Sequence, residues 1–165
     1  MDFILSEIKS AVEQKSYYVA IMLTLAIPDI CAALESDDGR TTGEKYKAWY
    51  TKHLQPTFKL LTAESCYSLR CGVFHQGRME LAGKNISYGR VIFTVPSPAG
   101  GIHNSVLNDA LVFDAKRFCD DVVAVAIAWW AASAEIQNVA RNAANLLQYR
   151  ACGLLPYTNH MPVIA

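Results

Sequence analysis

Apolar residues recur at helical spacing from the start of the chain. Phe3, Ile4, Ile8, Ala11 and Val12 predict a helix over residues 2–14. Ser16 is placed to cap a second helix from Tyr17 to about Glu35. That stretch is apolar almost all round, which predicts a helix at the centre of a bundle. Pro28 lies inside it and predicts a kink or a break, because proline lacks an N–H and crowds the carbonyl four residues back. Ser36-Asp-Asp-Gly39 supplies the turn that closes it. Thr41-Thr-Gly-Glu44 has capping-box spacing and predicts a third helix to about Leu54, carrying Tyr46, Trp49, Tyr50 and His53, with Gln55-Pro56 after it. Thr62 caps a fourth helix over 63–76, and Gly77 suits its left-handed terminator.

The pattern then changes period. Residues 88–95, with Arg-Val-Ile-Phe-Thr-Val, predict a strand, and residues 105–113 a second. Pro96 to Gly101 lies between them as turn material. It lacks the Lys-Ser/Thr and helix start of a phosphate loop. The expectation is a long β-hairpin over about residues 86–113. Asp114 caps a final helix to about Tyr149, burying Phe118, Val122, Val125, Ala126, Trp129 and Trp130; Trp129-Trp130 suit close helix packing. An extended tail follows Gly153. With no internal repeat or linker, the prediction is one all-α domain over 1–165, a helical bundle with an inserted β-hairpin.

Composition narrows the function. The apolar fraction of the 165 residues is 52% and the charged fraction 18%, which suggests apolar surface hidden at a subunit contact. Fifteen basic residues balance fifteen acidic ones, which argues against a broad electrostatic grip on nucleic acid and leaves room for a local phosphate site. The five cysteines are irregularly spaced without a C-x-x-C, the pattern of reduced, buried thiols in a cytoplasmic protein rather than of disulfides or a zinc site. Met-Asp-Phe-Ile-Leu-Ser-Glu lacks the basic start and cleavage site of a signal peptide. Both long apolar runs read as core helices too short to span a membrane.

One pair of titratable residues has a spacing that suggests chemistry. Arg70 and His75 fall near the end of the fourth helix. A guanidinium holds phosphate, and an imidazole moves a proton beside it. Five residues along a helix is about 140° of rotation and about 7.5 Å of rise, so the two groups start on different faces and only the long arginine can close the gap. One copy gives an incomplete site; two copies about a two-fold axis bring together two guanidiniums and two imidazoles. Such a cleft suits cleavage of RNA by its own 2′-hydroxyl, with the imidazole transferring the proton and the guanidiniums stabilising the phosphate. The scheme uses no metal or cofactor, and the sequence lacks the carboxylate cluster of a two-metal nuclease.

The segment Leu69-Arg-Cys-Gly-Val-Phe-His-Gln-Gly77 resembles the R-x4-6-H motif of HEPN domains (higher eukaryotes and prokaryotes nucleotide-binding). Cys71 stands where many members carry Asn. The likeness in helix order extends over about residues 2–79 and 114–149. It implies a HEPN-like helical bundle, usually dimeric, and a metal-independent ribonuclease of a toxin–antitoxin, defence or RNA-processing system, with Arg70 and His75 as the catalytic pair. An antitoxin protein is the partner such a system implies. The alternative is a non-catalytic dimeric module that binds nucleotide, RNA or a protein partner through the same cleft.

Three further residues are candidates for the substrate site. Asp29, beside Pro28, can orient Arg70 or His75. Arg78, just beyond His75, can add a phosphate contact. Tyr67, one turn before Arg70, can stack on a base. His53 has no partner visible in the sequence and reads as structural.

Overall fold

An almost wholly apolar helix needs neighbours on every side, and α2 (Tyr17–Glu35) has them. It packs against α1 (Asp2–Glu13), α3 (Gly43–His53), α4 (Ala63–Gln76), α5 (Ala115–Ser133) and α6 (Gln137–Ala143). These six helices make up about half of the chain, and a small sheet completes it. The structure, a computed structural model, describes residues 1–98 and 100–165. One contiguous apolar core joins the helices to the sheet, with Phe58, Phe113 and Phe118 fully buried in mutual contact.

Helix α2 runs through Pro28 without a break. The proline removes the N–H that would bond the Thr24 carbonyl. One position on, the Leu25 carbonyl accepts the Tyr46 hydroxyl at 3.3 Å. Packing on all sides thus overrides the local breaker. At 19 residues α2 is also long and apolar enough to cross a membrane, which corrects the expectation that both apolar runs fall short; half of that stretch is buried within the protein. Helices α5 and α6 reach that length together but meet at 115°.

Two side-chain caps form where expected and one is displaced, while Ser16 stands at the start of α2 without a side-chain cap bond. Thr62 Oγ1 accepts from the Ser65 N–H at 3.2 Å, and Asp114 Oδ1 from the Arg117 N–H at 2.9 Å. Helix α3 begins one residue late: Thr42, rather than Thr41, caps it through the Lys45 N–H. Gly77 closes α4 at φ +62°, in the left-handed region.

The sheet departs from the expected hairpin. Strand β1 (Arg90–Thr94) pairs in parallel with β3 (Ala110–Asp114), and β2 (Ser105–Leu107) pairs antiparallel to β3, so β3 lies in the middle. The two-residue turn Asn108-Asp109 cuts the stretch read as one strand into two. Of these three strands, β2 and β3 form the hairpin. All five residues of β3 are buried, which explains the unbroken apolar run Ala110-Leu-Val-Phe113.

The final helix is also shorter than its pattern suggests. α5 ends at Ser133, and the chain bends into α6. Polar side chains of α6 explain the bend. The Asn142 carboxamide donates to the carbonyls of Leu34 at 3.0 Å and Ser36 at 2.7 Å, and Arg141 donates to Asp37 O at 2.6 Å. These bonds satisfy the Leu34 carbonyl in the last turn of α2 and the carbonyls of Ser36 and Asp37 just after it. The tail after Gly153, expected to be extended, instead turns at residues 155–157 and folds back, so that β5 (Val163–Ile164) pairs antiparallel with β4 (Tyr149–Arg150).

Candidate functional site

Arg70 and His75 meet. Arg70 Nη1 lies 3.3 Å from His75 Nε2. A guanidinium has no acceptor, so Nε2 is the acceptor and the ring proton resides on Nδ1. The 140° offset is closed by the reach of the arginine, as its length allows. His75 is exposed at the helix end, where a substrate can reach it.

Asp29 fixes the guanidinium. Its Oδ2 accepts from Arg70 Nε at 2.8 Å, with side-chain exposures of 14% and 23% respectively. The partner comes from α2 and lies 41 positions away in sequence. Burial raises the Asp29 pKa above the usual 3.8, although the Arg70 charge and, less strongly, the Thr41 hydroxyl pull it down. Burial works against the Arg70 charge in turn, but Asp29 and then the neighbouring Cys71 hold its pKa above the ordinary value. Arg70 is therefore a fixed cation with one edge committed to a carboxylate and N–H groups left for an anion.

Phe74, one turn beyond Arg70, completes the seat. The Arg70 guanidinium carbon lies 5.1 Å from the centroid of its ring, a favourable stacking distance. The i, i+4 spacing of Arg70 and Phe74 was a legible signal for this contact. The part played by Thr41 had no such signal, because its place in the sequence suggested a cap.

The other two candidates form no hydrogen bond or ion pair with Arg70 or His75 among the described residues. Tyr67 packs on Tyr46 with centroids 5.2 Å apart and lines a cavity of about 300 Å³ beside α4. Burial first, and Cys71 second, raise its pKa. Arg78 follows the reversal at Gly77, off the helix axis. Its backbone N–H bonds Gly72 O at 3.1 Å, and its exposed side chain makes no ion pair with any described residue.

Two further titratable groups, His53 and Cys66, have structural surroundings. His53 stacks on Trp49 with centroids 4.8 Å apart, and burial lowers its pKa. Cys66 is fully enclosed, and burial pushes its thiol up to about 12. All five cysteines are free. Among the described residues no three of His, Cys, Asp or Glu converge to hold a metal ion.

No protein-family model, no curated protein and no solved structure matches this chain.

Proposed function

We propose that the protein is a metal-independent endoribonuclease of HEPN type that acts as a homodimer, with Arg70 and His75 as its catalytic residues. The observation that carries this reading is the direct Arg70–His75 contact at an exposed helix end, with Arg70 anchored by Asp29. A nuclease of this kind needs a fixed cation next to a solvent-accessible imidazole, and neither group is sealed in the interior.

The chemistry follows from the groups. His75 Nε2 takes the proton from a ribose 2′-hydroxyl, and the 2′-oxygen attacks the adjacent phosphorus. The bond from phosphorus to the 5′-oxygen breaks, and the second subunit's imidazole, in its protonated form, returns a proton to that oxygen. The products are a 2′,3′-cyclic phosphate and a 5′-hydroxyl. The Arg70 guanidiniums hold the non-bridging oxygens as charge gathers on them. For Nε2 to act as base, Arg70 must turn its Nη1 from the imidazole to the phosphate, which the Nε–Asp29 bond permits as a pivot.

Two exposed aromatic side chains support self-association on this face. Phe74 is 37% and Tyr18 50% exposed, and the Tyr18 hydroxyl donates to Val73 O at 3.5 Å, which places it along the same half of α4. Exposed apolar groups gathered beside polar ones mark contact surfaces. A second copy seated there would bring the two pairs around one cleft.

The test is cleavage of a single-stranded RNA in excess chelator by the wild type, His75→Ala and Arg70→Ala. The expected result is cutting by the wild type, at least a hundredfold loss in each variant, and no cutting of the DNA of the same sequence. Equal rates for all three proteins would remove the pair from catalysis. A second reading has its own observation: Arg70 is already engaged by Asp29, His75 and Phe74, as in a non-catalytic module that binds RNA or nucleotide. Binding without cleavage would favour it.

A further inference from the structure

A cavity beside α4, lined by the sequence neighbours of Arg70 and His75, Cys71 and Gln76, is left unused by the proposed chemistry. Its volume is about 300 Å³, and Tyr67, Ser68, Cys71, Gln76, Glu80 and Lys84 are among the residues around it. The wall opposite α4 is the segment after Gly77, which folds back over the helix. Ser68 Oγ holds that segment by donating to Ala82 O at 3.0 Å and accepting the Ala82 N–H at 2.9 Å. Gly72 lets it come close, since a Cβ there would lie 2.8 Å from Arg78 O. The cavity is thus built by specific contacts.

Its position relates it to the pair. At about 100° per residue, His75 lies about 20° from Ser68 and about 40° from Cys71 around α4. Cys71 follows Arg70 in sequence and Gln76 follows His75, and both line the cavity. Arg70 itself starts about 100° from Cys71 on the far side of the helix, but its Nη1 reaches His75 Nε2 at 3.3 Å. A molecule with its anionic end at that contact therefore extends its neutral end toward this space.

Charge decides which end that is. The cavity carries Glu64 and Glu80 against one cation, Lys84. Glu64 is paired with Lys47 at 3.1 Å, while Glu80 makes no ion pair among the described residues. Two carboxylates repel a phosphate and accept hydrogen bonds from amino and ring N–H groups. Tyr67 offers an aromatic wall. We infer that this cavity is a base subsite, resting on the ribonuclease reading above, which takes the nucleobase on the 5′ side of the cleaved phosphate. Guanine is the best match, because its Watson–Crick edge presents N1–H and an amino group together to one carboxylate. Uracil, which lacks an amino group, is the poorest.

Cys71 gives a direct readout, because it lines the cavity while the exposed Cys152 serves as an internal control. Alkylation of each thiol by iodoacetamide is followed by mass spectrometry with guanosine 3′-monophosphate, uridine 3′-monophosphate or inorganic phosphate present. The expected result is that the guanosine nucleotide slows Cys71 alkylation about tenfold, that the uridine nucleotide and phosphate slow it less than twofold, and that Cys152 is unchanged. Glu80→Gln, at an exposed position, should abolish the difference between the two nucleotides. No protection by the guanosine nucleotide, or equal protection by phosphate alone, would overturn the subsite. Protection in a protein that cuts no RNA would keep the subsite and end the nuclease reading; cutting without protection would do the reverse.

Discussion

The ion pair between Arg70 and Asp29 shows how one residue governs another. Its polarity has a consequence for stability that can be signed. Burial raises the Asp29 pKa above 3.8, so the folded protein binds more protons than the unfolded chain just above that pH. Stability from this group is complete below 3.8 and is lost as pH rises through the raised value. Asp29→Asn should remove that decline, measured as unfolding midpoints in urea at a series of pH values. His53 has the opposite sign. Burial lowers its pKa from 6.5, so its contribution is present above 6.5 and is lost as pH falls through the lowered value. His53→Gln should flatten the profile on that side. Part of this was legible in the sequence: the Arg70–His75 spacing and the odd carboxylate in an apolar helix; the partners of His53, Trp49 and Glu35, were not read from it. The Asp29–Arg70 bond itself was not, because nothing local ties residues 41 apart; the crossing of α2 and α4 creates it.

Elements rather than single residues account for the differences between pattern and fold. Caps are local, so Thr62, Gly77 and Asp114 could be read directly. The end of α5 and the pairing of β1 depend on distant groups. Asn142 looked like one more residue of a long helix, yet its carboxamide closes the C-terminus of α2. The parallel pairing of β1 with β3 needs the crossover over residues 95–109, for which alternation in sequence carries no sign. Two substitutions test these roles. Asn142→Ala removes the side-chain donor to the Leu34 and Ser36 carbonyls and should cost about 1–3 kcal/mol of folding stability by chemical denaturation. Gly72→Ala places a Cβ 2.8 Å from a backbone oxygen and should cost about 1–3 kcal/mol through overpacking, with the segment after Gly77 exchanging its amide hydrogens faster.

At the scale of the molecule, the proposal depends on two copies. The chain has an ample core and a near-neutral charge balance, so association would draw on apolar contact and local complementarity more than on net charge. Phe74→Asp places a carboxylate at the proposed contact and should shift the protein from dimer to monomer in sedimentation velocity. The most direct measurement mixes two inactive proteins. Arg70→Ala and His75→Ala subunits are unfolded together, refolded and assayed on RNA in chelator. A shared cleft in the mixed dimer retains one guanidinium and one imidazole on different chains, so measurable cutting should return, absent from either parent. If the wild type cuts and the mixture stays as silent as its parents, the two subunits do not share one site.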